Sequence, residues 1–443
     1  MSEVTQTDRV EETDEQAVAR LADGVSLCGE YEGGGFDEPR YLISRGDGQM
    51  VLVSPLLYEI ATAIDGTRGL AEVAARASQA TGKQLSAANA EFLINEKLHP
   101  LGIATLSQPI AEPPKADPLL SLAMHGMLAP PRAVRAAAAV LAPLYTPVVV
   151  VLVLCALLAF DGWLIGSGYV DLAFQQSVGE PAQVLLLLGL MVSSTLFHEL
   201  GHAAGCHYGG AKPGAIGVGI MLIIPCFYTN VTDAYRLDRR GRLRTDLGGI
   251  YFNAVFILVM YGLYGWTQFA PLLVFIALSH IQILQQLLPL LRMDGYYILG
   301  DLVGVPNLFS QIRPFLLRLV GRGGGQTNAH TGLRPRVRIM VTAWVLIVVP
   351  TLLFALGMLL WRLPVYLSRA FTRGQDYWTM LVTGIGQGQL WGPLLAVISM
   401  LILLLPWLGA GAFAVRTYRR VSRAISRRRE QRSKGGRHRT VRA

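Results

Sequence analysis

Long apolar runs make up most of the chain after residue 136. A helix needs about 20 apolar residues to cross the hydrocarbon core of a bilayer. Runs of that kind lie at 139–160, 184–206, 248–268, 338–360 and 391–414, and residues 271–291 make a further candidate. The pattern predicts an α-helical polytopic membrane protein with about six transmembrane helices.

A shorter apolar run, residues 214–230, has glycines at alternate positions as well as Pro225. Such a sequence favours strand over helix. If this run crossed the bilayer, the arginine-rich segment 236–244 would face outside, against the usual excess of basic residues on the cytoplasmic side. We therefore expect a re-entrant β-like element that covers the core from the cytoplasmic side, with a full crossing as the alternative.

The charge distribution predicts how the chain lies in the membrane. Residues 415–443 are rich in arginine and follow an apolar run directly, so they are expected at the cytoplasmic face beside anionic headgroups. The amino terminus has no basic-then-apolar signal peptide and is expected in the cytoplasm too. The loop 161–182 carries acidic residues and no lysine or arginine, which favours the outside. We expect a multi-pass protein of the cell membrane with both termini cytoplasmic.

Shorter patterns predict a small α+β module over residues 38–107. Tyr41–Ser44 and Met50–Val53 flank a glycine-containing turn, which is typical of a β-hairpin. Ser54 and Pro55 provide a helix N-cap and a first helical residue. Two more helices are expected at about 69–80 and after residue 86, and residues 102–106 return as a strand. This order of elements predicts a winged-helix-like fold.

The run Leu-Val-Ser-Pro-Leu-Leu-Tyr-Glu-Ile at 52–60, with Ile-Asp-Gly-Thr at 64–67, resembles the PqqD-like leader-recognition domains of peptide-modifying enzymes. The resemblance implies that the module binds an extended leader peptide as an added strand beside its third helix. A DNA-binding winged helix is one alternative, but the third helix carries Glu91, Glu96 and Lys97 and no basic stripe. Nucleic acid is therefore not expected as a partner, and a purely structural module is the remaining alternative.

Composition divides the rest of the chain. Residues 1–37 are polar and acidic and are expected to be disordered. The four cysteines form no Cys-x-x-Cys pair, which argues against a disulfide framework. The other expected segments are a Pro-rich linker and interfacial segment at 108–135, a membrane core at 136–305, a basic cytoplasmic loop at 306–337, two further transmembrane helices at 338–414 and a basic tail at 415–443.

A charged motif, His198-Glu199-Leu200-Gly201-His202, lies inside one of the apolar runs. On a helix the two imidazoles leave the same face and can reach one zinc ion. Glu199 leaves nearly the same side, from where it can accept a proton from water. Ionisable groups in a membrane segment usually mark function. We expect one Zn²⁺ per chain, with His198 and His202 as metal ligands and Glu199 as the catalytic base.

A zinc site of this kind needs a third protein ligand. The metzincin pattern would place a histidine where Tyr208 stands, and the gluzincin pattern needs a downstream glutamate, of which the chain has only Glu430 in its basic tail. Among the downstream aspartates, Asp294 is the one at the end of a predicted span that could pack beside the metal helix. We therefore expect Asp294 to be the third ligand.

The His-Glu-Leu-Gly-His motif, with Asp294-Gly295 on a later helix, resembles the site-2-protease-like intramembrane zinc metalloproteases. Gly249-Ile-Tyr-Phe-Asn253 is similar to the Gly-x-x-x-Asn motif of that family's intervening helix. This similarity implies a substrate or oxyanion contact for Asn253, and a hydrogen bond between helices is the alternative. Asp233-Ala-Tyr-Arg236, together with the segment 294–301, looks closest to the branch found with ribosomally made, modified peptides.

The resemblance implies an intramembrane zinc endopeptidase that removes the leader from a ribosomally synthesised precursor peptide. Expected partners are this peptide, membrane lipids, and other peptide-modifying enzymes or an exporter. Two alternatives are a regulated protease of a membrane-anchored signalling protein and a non-catalytic protein of peptide export or immunity. Asp301 is expected to cap a helix and His280 to face the bundle interior, while His207 has no assigned role.

Overall fold

The computed structural model describes residues 18–106, 123–178, 180–221, 224–319 and 332–437. Of the residues that the structure describes, 71% are helical. Among the described helices, 5 are long and apolar enough to cross a bilayer, which makes this a membrane protein. They are Pro147–Ser167 (α5), Pro181–Tyr208 (α7), Gly248–Thr267 (α9), Pro335–Gly386 (α13) and the first part of Trp391–Arg437 (α14).

The amino-terminal module contains two small antiparallel sheets and three helices. Strands Arg20–Leu21 (β1) and Ala104–Thr105 (β5) pair with each other, and Ser26–Glu30 (β2), Tyr41–Ser44 (β3) and Met50–Val53 (β4) pair in that order. The predicted hairpin is confirmed, since β3 and β4 pair from Tyr41↔Val53 to Ser44↔Met50. The helices are Pro55–Ala63 (α1), Leu70–Thr81 (α2) and Ala87–Leu93 (α3).

Local sequence sets the bounds of these helices. The Ser54 side chain accepts a hydrogen bond from Leu57 N at the start of α1, and Ser86 does the same for Asn89 N at the start of α3. Helix α2 ends at Gly82, whose φ of 67° is the left-handed conformation that glycine adopts without strain. Apolar side chains of all three helices and both sheets form one buried core.

The expectation that residues 1–37 are disordered is wrong from Val18 onward. Strands β1 and β2 lie in this segment, and Tyr31 is only 2% exposed. The acidic side chains of Glu30, Glu32 and Asp37 face solvent, so the acidic composition of the segment concealed the two strands within it. Residues 1–17, and residues 107–122 with most of the predicted linker, lie outside the described residues.

The segment before the first long helix differs from its predicted form. Within the predicted linker and interfacial segment 108–135, Ala123–Ala129 (β6) is a strand, and the helix Pro131–Leu141 (α4) begins there; an interfacial position for the segment stays a prediction. Helix α5 begins at Pro147 rather than near residue 139, because proline at the first helical position starts a new helix. It extends to Ser167, and Tyr169–Val178 (α6) follows where an outside loop was expected.

The apolar run 214–230 is a β-hairpin, as its glycine and proline content indicated. Ile216–Met221 (β7) and Ile224–Thr229 (β8) pair antiparallel from Ile216↔Thr229 to Met221↔Ile224, and β6 pairs along the other edge of β7. Gly217 faces the ring of Tyr228, where an added Cβ would lie 2.5 Å from the ring. Whether the hairpin re-enters the membrane stays a prediction.

Three shorter helices complete the core. Arg239–Asp246 (α8) lies in the arginine-rich segment, and Pro271–Leu287 (α10) and Asp294–Val303 (α11) follow α9. Helix α10 has 17 residues, about 26 Å in length, which is at the lower end of the length that crosses a bilayer, so a sixth span at 271–291 stays a prediction. The chain turns between Leu288 and Met293 because Pro289 cannot continue the helix.

The carboxyl-terminal helices are longer than predicted. Ile312–Leu319 (α12) lies in the expected basic loop, and α13 runs for 52 residues through Pro350 and Pro364, which is about 78 Å. The helix continues well beyond residue 360, where the predicted apolar span ends. The helix stops only before Gly388, which has a φ of 67°.

Helices α7 and α9 approach each other at backbone distance. A Cβ added to Gly201 would lie 2.2 Å from the carbonyl oxygen of Gly248, and one added to Gly248 would lie 2.6 Å from the carbonyl oxygen of Gly201. The Tyr145 hydroxyl donates a hydrogen bond of 2.8 Å to that same oxygen of Gly201. The contact therefore has no space for a side chain on either helix.

We expect Gly201→Ala to lower the free energy of unfolding by about 1–3 kcal/mol, because the added methyl group forces α7 and α9 apart. The matched control is Gly189→Ala on the same helix, where an added Cβ has no atom within 4 Å. That change should be neutral or stabilise the helix by up to about 1 kcal/mol. Thermal unfolding of the detergent-solubilised protein measures both, and equal midpoints for the two variants would contradict the close contact.

Candidate metal centre

The two histidines of the motif lie one turn apart on α7 and face each other. Their Nε2 atoms are 3.2 Å apart, and the ring planes are close to perpendicular, at 84°. His198 is 3% exposed, and Gly249 of α9 packs directly on its ring. A Cβ at Gly249 would lie 2.3 Å from His198 Nε2, so glycine at this position gives the imidazole its space.

Asp294, the first residue of α11, meets this pair of imidazoles. Its Oδ2 atom lies 3.1 Å from His198 Nε2 and its Oδ1 atom 3.4 Å from His202 Nε2. Gly295 allows this placement, because a Cβ there would lie 2.1 Å from the carbonyl oxygen of Leu287 at the end of α10. The Trp344 indole of α13 donates a hydrogen bond of 2.8 Å to the Pro289 carbonyl and anchors the turn before α11.

The ligand atoms of these three residues fit a tetrahedral metal ion. Two ligands about 2.1 Å from one ion in a tetrahedral arrangement are about 3.4 Å apart. The two Nε2 atoms are 3.2 Å apart, and they lie 3.1 Å and 3.4 Å from the Oδ2 and Oδ1 atoms of Asp294 respectively, so each of these pairs is close to that value. Two imidazoles and one carboxylate also form a donor set that suits zinc.

The hydrogen bond behind His202 favours a cation at this point. His202 Nδ1 lies 2.8 Å from the Thr245 carbonyl oxygen, which can only accept, so Nδ1 carries a proton. In the neutral ring, Nε2 then presents its lone pair to the Asp294 carboxylate. Burial alone would raise the pKa of Asp294, but a protonated His202 ring beside the carboxylate holds that pKa below its ordinary range. The contact therefore needs a positive charge, which either a proton on His202 Nε2 or a metal ion between the ring and the carboxylate supplies.

Glu199 is 8% exposed, and Thr229 at the end of β8 holds its carboxylate. The Thr229 hydroxyl lies 2.7 Å from Glu199 Oε2 and 2.9 Å from the Glu199 carbonyl oxygen. Sequence reasoning did not single out Thr229, because the contact joins two elements that no periodicity links. The only signal was its place at the end of the predicted β-like run.

Asn253 lies one turn beyond Gly249 on α9 and contacts α10. Its Nδ2 atom donates to Gln286 Oε1 at 3.1 Å, which is the hydrogen bond between helices that was the alternative to a substrate contact. The Asn253 Oδ1 atom is buried and has no hydrogen-bond partner in the described parts of the chain. The substrate contact stays a prediction.

Asp301 does not cap a helix. Its side chain is buried between Tyr31, whose hydroxyl donates at 2.9 Å, and Arg242, whose Nε donates at 3.1 Å. His280 faces the bundle interior as expected, with its ring nitrogens 2.8 Å from the Ile276 carbonyl and 3.1 Å from Asp161.

Several other residues named in the sequence analysis do not take part in the candidate metal centre. His207 lies in the last turn of α7, and Asp233 pairs with Arg236 at 3.0 Å. The cysteines Cys28, Cys155, Cys206 and Cys226 form no disulfide bonds with one another.

The comparisons with known proteins give one distant relative. The chain is 25% identical over 118 residues to "Putative peptide zinc metalloprotease protein YydH" of Bacillus subtilis (strain 168). The matched region covers 26% of this chain and 46% of the relative, so the chain spans about half of the length of that protein. No family model matches the chain, and no solved structure matches it.

We expect the full-length protein in detergent to bind one Zn²⁺, and Asp294→Ala to weaken that binding by more than the ~10–100-fold that loss of an outer-shell partner costs. The reason is that the change removes a ligand atom and not a supporting contact. Equilibrium dialysis against a competing chelator measures the affinity. His280→Ala is the control, because it removes a histidine of the same bundle that pairs with Asp161. Equal weakening by both changes would contradict the assignment.

Proposed function

We propose that this protein is a zinc endopeptidase of the membrane that cleaves a ribosomally synthesised precursor peptide and removes its leader. The observation that carries the proposal is the convergence of His198, His202 and Asp294 to within 4.8 Å of one another, next to the buried Glu199. The name of the distant relative supports a peptide as the substrate. A buried carboxylate beside a set of metal ligands is one of the arrangements that can hydrolyse an amide bond.

His198, His202 and Asp294 would hold the metal. When bound, zinc supplies Lewis acidity that lowers the pKa of water towards ~7 and polarises a carbonyl oxygen. Glu199 accepts the proton of the attacking water and then donates it to the leaving amine. Thr229 fixes the Glu199 carboxylate through its hydroxyl, and the Thr245 carbonyl fixes the His202 ring.

We further propose that the protein crosses the membrane several times, with both termini in the cytoplasm. The amino-terminal module would hold the leader as an added strand on the sheet of β2, β3 and β4, in the manner of a PqqD-like domain. The free edges of that sheet support this mode of binding, because they belong to β2 and β4. A tethered leader raises the local concentration of the cleavable segment at the metal centre.

The direct test incubates the purified full-length protein with precursor peptides encoded beside its gene, with and without a chelator. Mass spectrometry should detect leader and core fragments that disappear with the chelator and return with Zn²⁺. Cleavage of a membrane-anchored signalling protein instead would favour a regulatory protease. Peptide binding without any cleavage would favour a role in export or immunity and would contradict the proposal.

We expect Glu199→Gln to lower kcat by about 10²–10⁴-fold, because the amide cannot accept the proton of water. The zinc content should stay at one ion per chain, since Glu199 is not among the three ligands. The control is Glu180→Gln at the start of the same helix, where the side chain is exposed. Turnover by Glu199→Gln at the rate of this control would refute Glu199 as the base.

We expect Thr229→Val to lower kcat by about 10-fold while KM and zinc content stay unchanged, because the Glu199 carboxylate loses its hydroxyl donor and its orientation. Thr229→Ser keeps the hydroxyl and should retain most of the activity. Kinetics of the two variants on the same peptide give the comparison. Equal kcat values for valine and serine would show that the hydroxyl has no part in catalysis.

A further inference from the structure

A loop of the amino-terminal module inserts into the helical core. Residues 31–40, here named the docking loop, connect β2 to β3, and Tyr31 N donates to the Arg40 carbonyl across the base of the loop at 2.7 Å. At the other end of the loop, Phe36 pairs with Leu333 as an antiparallel bridge just ahead of α13. The loop is therefore held by strand pairing at its base and by the core at its tip.

The run Gly33-Gly34-Gly35 in this loop makes close backbone contact with the end of α11. A Cβ at Gly35 would lie 2.3 Å from the Val303 carbonyl oxygen, and a Cβ at Gly304 would lie 2.4 Å from the Gly33 carbonyl oxygen. Gly35 N donates to the Gly304 carbonyl at 2.9 Å, and Arg334 N donates to the Gly35 carbonyl at 3.0 Å. Glycine fits here because it has no side chain, so the sequence of the loop suits its docked position.

A buried charged group joins the docking loop to both α8 and α11. Arg242 of α8 is 2% exposed. Its guanidinium donates to Asp301 of α11 at 3.1 Å and to the Glu32 carbonyl of the loop at 2.9 Å, and it lies 4.2 Å over the Tyr31 ring. The Tyr31 hydroxyl donates to the same Asp301 oxygen at 2.9 Å. A side chain of the loop thus completes an ion pair between the two helices.

These two helices also hold the candidate metal centre. Helix α8 carries Thr245, one turn after Arg242, and the Thr245 carbonyl fixes the His202 ring. Helix α11 begins with the ligand Asp294, and Asp301 lies about 10 Å further along the same helix. A shift of either helix at its contact with the docking loop therefore moves a group that sets the geometry of the metal ligands.

We infer that the docking loop positions α8 and α11 for metal binding. Through these two helices it sets the positions of Asp294 and of the His202 ring. Tyr31 and Arg242 are positioning residues that act through Asp301. The inference rests on the proposed function, because it takes the three ligands to hold a metal. It adds a route by which the peptide-binding module acts on the metal centre: a peptide that shifts the loop changes the metal affinity, and the metal changes the affinity for that peptide by the same factor.

The test measures the Zn²⁺ affinity of the full-length protein in detergent by competition with a chelator, in the absence of any peptide. Tyr31→Phe keeps the ring and removes the hydroxyl from Asp301, and Arg242→Met removes the charge. We expect each change to weaken Zn²⁺ binding about 10-fold. Arg242→Lys should recover part of this loss, because it restores a cation beside Asp301.

The controls remove similar groups outside the contact between the docking loop and helices α8 and α11. Tyr41→Phe removes a hydroxyl from the same module on β3, where the ring stacks on Tyr58. Arg236→Gln removes a half-exposed arginine near α8 that pairs with Asp233. Both variants should bind Zn²⁺ as the unmodified protein does.

Thermal unfolding of each variant distinguishes a positioning role from a merely structural one. If Tyr31→Phe lowers the melting temperature but leaves Zn²⁺ affinity within twofold of the unmodified protein, the docking loop does not determine the positions of the metal ligands and the inference is wrong. Equal weakening by Arg236→Gln would overturn it as well. Absence of Zn²⁺ binding by the unmodified protein would refute the metal centre itself, whereas a folded, metal-binding protein without peptidase activity would refute only the hydrolase.

Discussion

The backbones of α7 and α9 pass each other in direct contact at Gly201 and Gly248, and the candidate metal centre depends on this approach. On α7, His198 lies one turn before this contact and His202 directly follows Gly201, and Gly249 of α9 leaves the space that the His198 ring fills. Without a side chain between the helices, dispersion contacts extend along both backbones, as is common where small residues lie between membrane helices. The contact fixes the two imidazoles before any metal binds.

The second constraint is electrostatic. An ionised carboxylate buried among apolar helices is stable only with partners that replace water. Three acidic groups in this region have such partners: Glu199 has the Thr229 hydroxyl, Asp301 has Arg242 and Tyr31, and Asp294 has two imidazoles. Of these three, Asp294 is the one whose partners, two imidazoles, are side chains that can also bind a metal ion. A cation there satisfies three groups at once, which explains why they lie together in a dry interior.

Local sequence patterns predicted much of the architecture, because helical spacing and helix starts depend on residues that are only a few positions apart. Helical spacing placed His198 and His202 on one face of α7, and the Ser54-Pro55 pair marked the start of α1. The proximity of Asp294 followed from its place at the end of an apolar run. Strand β2, the docking loop and Thr229 were missed for one physical reason. Their structure depends on contacts between residues far apart in sequence, such as Arg242 with Glu32, and neither composition nor periodicity carries that information.

The docking loop also determines where the protein can be divided. In sequence the module ends before the membrane helices begin, so an engineer would graft a new recognition module at that boundary. The loop lies within the module, between β2 and β3, yet it completes the interior of the helical part. A transplanted module without this loop would leave Arg242 and Asp301 open to solvent. Compatible chimeras must therefore inherit residues 31–40 with the membrane part, although the chain places them in the other unit.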